Sequence, residues 1–231
     1  MADGRASSGQ PPKVRQSRRL DRPVLGEEAS SLRPSSRCWV IDPIDGTQQL
    51  IFGVPVSMVS IALVVDGQPQ VAVAANPATG ETYWATAGGG AYRDGTALLV
   101  SPRDGRSNGA IVCGGGSVPT PASLNADGLL DLTADALTSS RFPWPSVFSG
   151  CKVAEGSWDA DLYSGAMPHD VAAVCLLVRE AGGKVTDRLG RAQRYDQEVN
   201  GCVLSNGLIH HDLVTQWAES YLPRTPRPSP A

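Results

Sequence analysis

The chain has 231 residues, 41% hydrophobic and 19% charged, with a formal net charge of −3; that length buries a core without disulfide or metal staples, and the mildly acidic balance argues against a dedicated nucleic-acid binder. No apolar run approaches the ~18 residues needed to span a bilayer, and the basic N-terminus lacks an apolar signal region, so a cytoplasmic protein with no membrane partner is expected. The five cysteines (Cys38, Cys113, Cys151, Cys175 and Cys202) are scattered with no C-x-x-C pair, which predicts free thiols and no zinc site.

Residues 1–25 are rich in Gly, Ser, Pro and basic side chains, with one short apolar cluster at Pro23-Val24-Leu25. They are expected to form a disordered basic arm, because so little apolar surface cannot offset the entropy of ordering. Cys38–Ile41 is a short apolar run ending at Asp-Pro, and Val54–Val65 and Gln70–Ala75 are apolar runs separated by the hairpin signal Asp66-Gly67. Turns at Pro77–Gly80 and Gly88–Gly90 bracket another strand at Glu81–Ala85. Region 26–105 therefore predicts a mostly antiparallel sheet. Further on, Ala110–Cys113 predicts a strand, Leu129–Thr138 a helix, and Val171–Glu180 a buried helix stopped by Gly182-Gly183. Lys184–Thr186 and Cys202–Leu204 predict strands, and Leu208–Tyr221 a closing amphipathic helix with His210 and His211 solvated near its start. Region 106–222 is thus an α/β unit, and the proline-rich stretch 223–231 a disordered tail. A meander followed by alternating helices and strands implies stacked layers.

The sharpest local feature is Trp39-Val40-Ile41-Asp42-Pro43-Ile44-Asp45-Gly46-Thr47. A strand delivers Asp42, Pro43 prevents a plain ladder, and Asp45 and the Ile44 carbonyl can turn to the same point. Two carboxylates and a carbonyl are hard oxygen ligands, suited to Mg²⁺. Gly46 and Thr47 then supply backbone N–H groups and a hydroxyl for an anion beside the metal. Taken alone, the same residues would also make an ordinary D-P-x-D-G turn. Two further acidic sites shift the balance: Glu27-Glu28 follows the apolar run Val24-Leu25-Gly26, and Asp170 precedes the buried helix. An acid at a helix start is often only a cap. Three acidic sites at element ends, each beside an apolar segment, are together harder to read as isolated turns and caps.

Gly26-Glu27-Glu28, the block Trp39 to Thr47, and His169-Asp170 leading to Glu180-Ala181-Gly182-Gly183 together resemble the inositol monophosphatase family. The resemblance runs from about Val24 to Tyr221 and implies a Mg²⁺-dependent, lithium-sensitive phosphatase with a layered α-β-α-β-α sandwich of mixed α/β (α+β) class. It implies Glu27, Asp42, Ile44 (through its carbonyl), Asp45 and Asp170 as metal ligands. Gly46 and Thr47 would contact phosphate, Glu27, Asp45 and Thr47 would serve catalysis, and Asp170 would also face substrate. Two Mg²⁺ ions about 4 Å apart would activate water and clamp the phosphoryl oxygens of a small phosphate monoester. No serine or cysteine nucleophile is needed, and no G-x-S-x-G elbow or P-loop is present. Gly114-Gly115-Gly116 lacks the pattern of a nucleotide loop. The resemblance is compatible with a homodimer.

The chain departs from the family in three places. Members usually carry a longer segment before Gly-Glu-Glu, folded as two helices, one of which supplies an acidic partner to the threonine; only 25 residues precede Gly26 here. This predicts either a start upstream of Met1 or loss of most of the N-terminal helical layer. Thr47-Gln48-Gln49-Leu50 replaces the usual D-G-T-x-N-F continuation, and His169-Asp170 replaces Trp-Asp. Tyr163-Ser164-Gly165 occupies the region where inositol-type members place an acid that grips substrate hydroxyls. These changes disfavour myo-inositol phosphate and leave histidinol phosphate, whose relatives carry Pro-aromatic-Asp at this block, sugar phosphates and nucleotide 3′-phosphates as candidates. His169 would either pack where tryptophan usually packs or orient Asp170. The competing expectation is a non-catalytic metal- or phosphate-binding remnant acting as a regulatory or assembly subunit.

Overall fold

The computed structural model describes residues 23–27, 36–105, 110–114, 144–163 and 165–220. The first sheet has seven strands in sequence order: β1 (Val24–Gly26), β2 (Arg37–Asp45), β3 (Met58–Val65), β4 (Gln68–Ala75), β5 (Thr82–Thr86), β6 (Gly90–Arg93) and β7 (Thr96–Ala97). β1 runs parallel to β2 and every other pair is antiparallel. The expected arm over 1–25 thus loses its last residues to a strand: Val24 and Leu25 pair with Trp39 and Val40. Asp66 and Gly67, at φ 51° and 83°, make the hairpin turn whose twist matches its strands.

The second sheet has the order β10 (Lys184–Thr186), β11 (Cys202–Ser205), β9 (Ala160–Tyr163), β8 (Val112–Gly114). The helices are α1 (Thr47–Ile51), α2 (Ser146–Ala154), α3 (Pro168–Glu180) and α4 (His210–Ser220). α3 packs on the first sheet and against α2, both touch the second sheet, and α4 covers its far side through Ile209, Leu213 and Trp217. The described layers therefore run β-α-β-α. α3 starts at Pro168, earlier than the apolar pattern suggested, because proline suits a first helical position. At its other end the Glu180 carboxylate accepts the N–H groups of Gly88 and Gly90, pinning a turn of the first sheet. The predicted helix at 129–138, Glu28, and most of the Gly114–Gly116 run lie outside the described residues.

One helix carried no signal in the sequence. α2 is rich in small and polar residues, and it is buried because Gly150 lets it approach α3 closely: a Cβ there would stand 2.6 Å from the Cβ of Val174. Gly150→Ala should lower the unfolding free energy by about 1–2 kcal/mol, since a clash with the Val174 side chain costs more than alanine gains in propensity. Thermal melts would show it.

His210 corrects the expectation of a solvated side chain. It is 2% exposed, Nδ1 lies 2.8 Å from Ser205 Oγ and Nε2 3.0 Å from Thr186 Oγ1, while His211 is exposed. The last strands end in hydroxyl residues, and they turn the first residue of α4 inward. Burial, helped by Lys184 and His211, lowers its pKa from 6.5 to about 4. A base with a depressed folded pKa contributes stability above its unfolded value and loses it as pH falls toward the folded one. The loss should reach about 2 kcal/mol by pH 5. The stability gap between wild type and His210→Gln should narrow by that amount between pH 7.5 and 5.

Candidate active site

β2 carries the acidic block, and its register explains how two acids three apart share a face. Asp42 pairs with Ser60 and Asp45 with Met58, so β2 uses three steps where β3 uses two. In a regular strand, positions i and i+3 point to opposite faces. The extra residue of the bulge around Pro43 and Ile44 reverses that parity, and Pro43 has no N–H to lose from the ladder. Asp42 and Asp45 both turn inward, at 2% and 7% exposure. Asp42 Oδ1 also accepts the Ile44 N–H at 2.9 Å, which holds the bulge closed.

Asp45 is seated on the start of α2. Its carboxylate accepts the Val147 N–H at 2.6 Å and, from Ser146, the hydroxyl at 3.1 Å and the N–H at 3.3 Å. Gly46, at φ 87°, makes room for this contact, because a Cβ there would lie 2.5 Å from Pro145 Cγ. Behind it, the buried Tyr163 hydroxyl bonds the Ser146 carbonyl, Ser149 Oγ and the carboxylate of Asp161. Ser146 and Val147 lie about a hundred positions from Asp45, so local sequence could not reveal this contact.

Asp170 sits at the third position of α3 and its carboxylate accepts the N–H of Met167, just ahead of the helix. The capping role considered from sequence is therefore present, through the third residue of the helix. The same carboxylate joins a second group: ligand atoms of Asp42, His169 and Asp170 all lie within 4.8 Å of one another. The His169 ring Nε2 is 3.8 Å from Asp170 Oδ1. Glu27 follows Gly26, which pairs with Ile41, and its charge acts on Asp42 from the exposed end of β1. Ile44 and Thr47 are exposed, and the Thr47 hydroxyl donates to the Ile44 carbonyl at 3.1 Å. A carbonyl has a second lone pair, so this bond leaves the oxygen able to accept once more.

The electrostatics follow from crowding. Burial raises the pKa of Asp42 to about 6 and that of Asp45 to about 7, and the neighbouring acids add to each shift. Burial raises Asp170 as well. Among the described residues, the main charges acting on these three acids are one another, Glu27 and His169. Acids pressed together this closely fit a metal cation as a further charge. Spacing agrees: bonds of ~2.1 Å in an octahedral shell put ligand atoms about 3 to 4 Å apart, close to what the three groups already span.

A model of the inositol monophosphatase family matches residues 11–222. The chain belongs to that family. Among curated relatives, it is 35% identical over 218 residues to the histidinol-phosphatase of Mycobacterium tuberculosis, covering 88% of this chain and 79% of that one. It is 36% identical over 193 residues to the Nus factor SuhB of Xylella fastidiosa, covering 80% and 68%. Among solved structures, the IMPase of Thermotoga maritima superposes with a TM-score of 0.75 at 28% identity, covering 87% of this chain and 75% of that one. The family fold is therefore shared, and with it membership of a metal-dependent phosphatase family. Among the described residues, no helix is long and apolar enough to cross a membrane.

Proposed function

We propose that this chain hydrolyses a small phosphorylated metabolite, with Mg²⁺ as its cofactor. The reaction class, phosphoric monoester hydrolysis, comes with the family. The observation that carries the site assignment is the convergence of Asp42, His169 and Asp170 within 4.8 Å, beside Asp45 and the Gly46–Thr47 turn. Asp42, Asp45 and Asp170, with Glu27 and the Ile44 carbonyl, would hold the ions. Bound divalent cations supply charge that neutralises phosphoryl oxygens and acidifies a water.

The chain's own groups do the rest. The Thr47 and Gln48 N–H groups that open α1 would receive the phosphate oxygens beside Gly46. Thr47 Oγ1 and the exposed Glu27 carboxylate would orient the attacking water. Asp170, at the head of α3, would hold the cation and face the leaving group. Asp42 and Asp45 are fixed in rotamer by the Ile44 and Val147 N–H bonds, so little reorganisation is left for the reaction.

Among substrates, histidinol phosphate is favoured. Two relatives with that printed name match at 35% and 34% identity. In this chain Tyr163, near the position where inositol-type members place an acid for substrate hydroxyls, is 5% exposed and its hydroxyl is already bonded to protein. It offers nothing to a polyol. Phosphate release from histidinol phosphate, myo-inositol 1-phosphate and fructose 1,6-bisphosphate, with Mg²⁺ or with chelator, tests the proposal. Metal-dependent release, greatest for histidinol phosphate, is expected; equal release with chelator would overturn it. The similarity to a Nus factor supports a second reading, a regulatory or assembly subunit. Metal binding without turnover of any ester would favour it.

A further inference from the structure

His169 has a role that the acids alone do not explain. Its ring nitrogen belongs to the tight group with Asp42 and Asp170. Its backbone is held there independently, because Ser60 Oγ donates to the His169 carbonyl at 3.2 Å. Ser60 is the residue paired across the ladder with Asp42. One inward position of β3 therefore fixes both the strand that bears Asp42 and the helix start that bears His169 and Asp170. Pro168, at the first position of α3, further restricts the backbone of that start. The imidazole is partly buried, with a side-chain exposure of 11%, against 24% for Asp170.

We infer that His169 is a metal ligand, and that it tunes this site toward first-row divalent transition ions, with Mn²⁺ as the probe, over Mg²⁺. The inference rests on the phosphomonoesterase reading of the same site. Carboxylates and carbonyls suit Mg²⁺ and Mn²⁺ alike, whereas imidazole nitrogen suits transition ions and adds little for Mg²⁺. A set of two carboxylates and one imidazole therefore separates ions that an all-oxygen set would treat similarly. Neither packing in place of tryptophan nor orienting Asp170 requires a ring nitrogen within ligand distance of both acids.

The test uses the full chain stripped of metal, titrated with Mn²⁺ and followed by electron paramagnetic resonance. Pulsed measurements should show ¹⁴N modulation from a directly bonded imidazole on the tightest Mn²⁺. Mg²⁺ should displace that ion only at an excess of tenfold or more. His169→Ala should remove the ¹⁴N signal and weaken Mn²⁺ by about 10–100-fold, the range for disturbing a metal's supporting ligands, while Mg²⁺ affinity changes less than about threefold. His169→Trp, which fills the same space without a ligating nitrogen, should behave alike if His169→Ala fails to fold. Absence of ¹⁴N modulation in wild type, or equal weakening of both ions in the variants, would overturn the inference and leave Mg²⁺-dependent phosphate release untouched. Failure of both ions to bind would overturn the inference and the metal-dependent reading of the site together.

Discussion

Asp45→Asn should reduce phosphate release by at least about 10³-fold while making the metal-free protein more stable at neutral pH. The catalytic loss comes from removing an anionic ligand at the point where transition-state charge develops, where a single preorganised contact is typically worth about 10²–10³ and weakened metal binding adds to it. The stability gain comes from the same carboxylate. Its pKa in the fold is about 7, against 3.8 for an ordinary aspartate. A raised folded pKa means stability that is fully present below pH 3.8 and lost as pH rises through 7, so the ionised side chain opposes folding at pH 8. That penalty approaches about 4 kcal/mol. Asparagine is neutral at every pH, can accept the Val147 N–H through Oδ1 and can donate to Ser146 Oγ. Metal-free melts at pH 8 should therefore favour the variant, and melts at pH 5 should erase most of the difference, since wild type regains about 3 kcal/mol there. Wild-type turnover in the variant at saturating Mg²⁺ would place the chemistry elsewhere.

The sequence carried as much of this site as local pattern can encode. Asp66-Gly67 has only one good turn, so the hairpin of β3 and β4 was legible. The apolar run ending at Gly182-Gly183 was legible because glycine stops a helix. The D-P-x-D-G block declared its acids, yet the bulge that brings them to one face depends on pairing with Ser60 and Met58, and no local motif specifies that register. α2 was illegible for a related reason. Ser146, Ser149, Gly150 and Lys152 break any apolar stripe, and the helix exists because Gly150 fits Val174 and the start of α2 meets Asp45. Tertiary contact supplied what propensity withheld. β9 hides its pattern likewise: Asp161 is a fully buried acid in a short strand, tolerated because Tyr163 and the Leu162 N–H bond its oxygens. His210 was misread because it opens a helix beside His211 and Asp212, while its partners are hydroxyls on two strands.

Metal affinity should fall steeply as pH drops through the range in which the site carboxylates bind protons. In the metal-free protein Asp42 titrates at about 6 and Asp45 at about 7, both raised first by burial. A carboxylate must lose its proton to take a cation, so binding competes with protons below those values and is nearly free of them above. At pH 8 both acids are mostly ionised and the affinity for Mg²⁺ should be on its plateau. Between pH 7 and 6 one proton must leave, and below 6 two must, so the apparent dissociation constant should rise about tenfold and then approach about a hundredfold per pH unit. Isothermal titration in buffers of different ionisation enthalpy reads the proton count directly: under one released per Mg²⁺ at pH 7.5 and between one and two at pH 6. Asp45→Asn removes one titrating group, so its affinity, though weaker at pH 8, should decline by about tenfold less per unit at the acid end. An affinity flat from pH 8 to 5.5 would mean that neither acid meets the cation, and would separate the buried pair of β2 from the metal site.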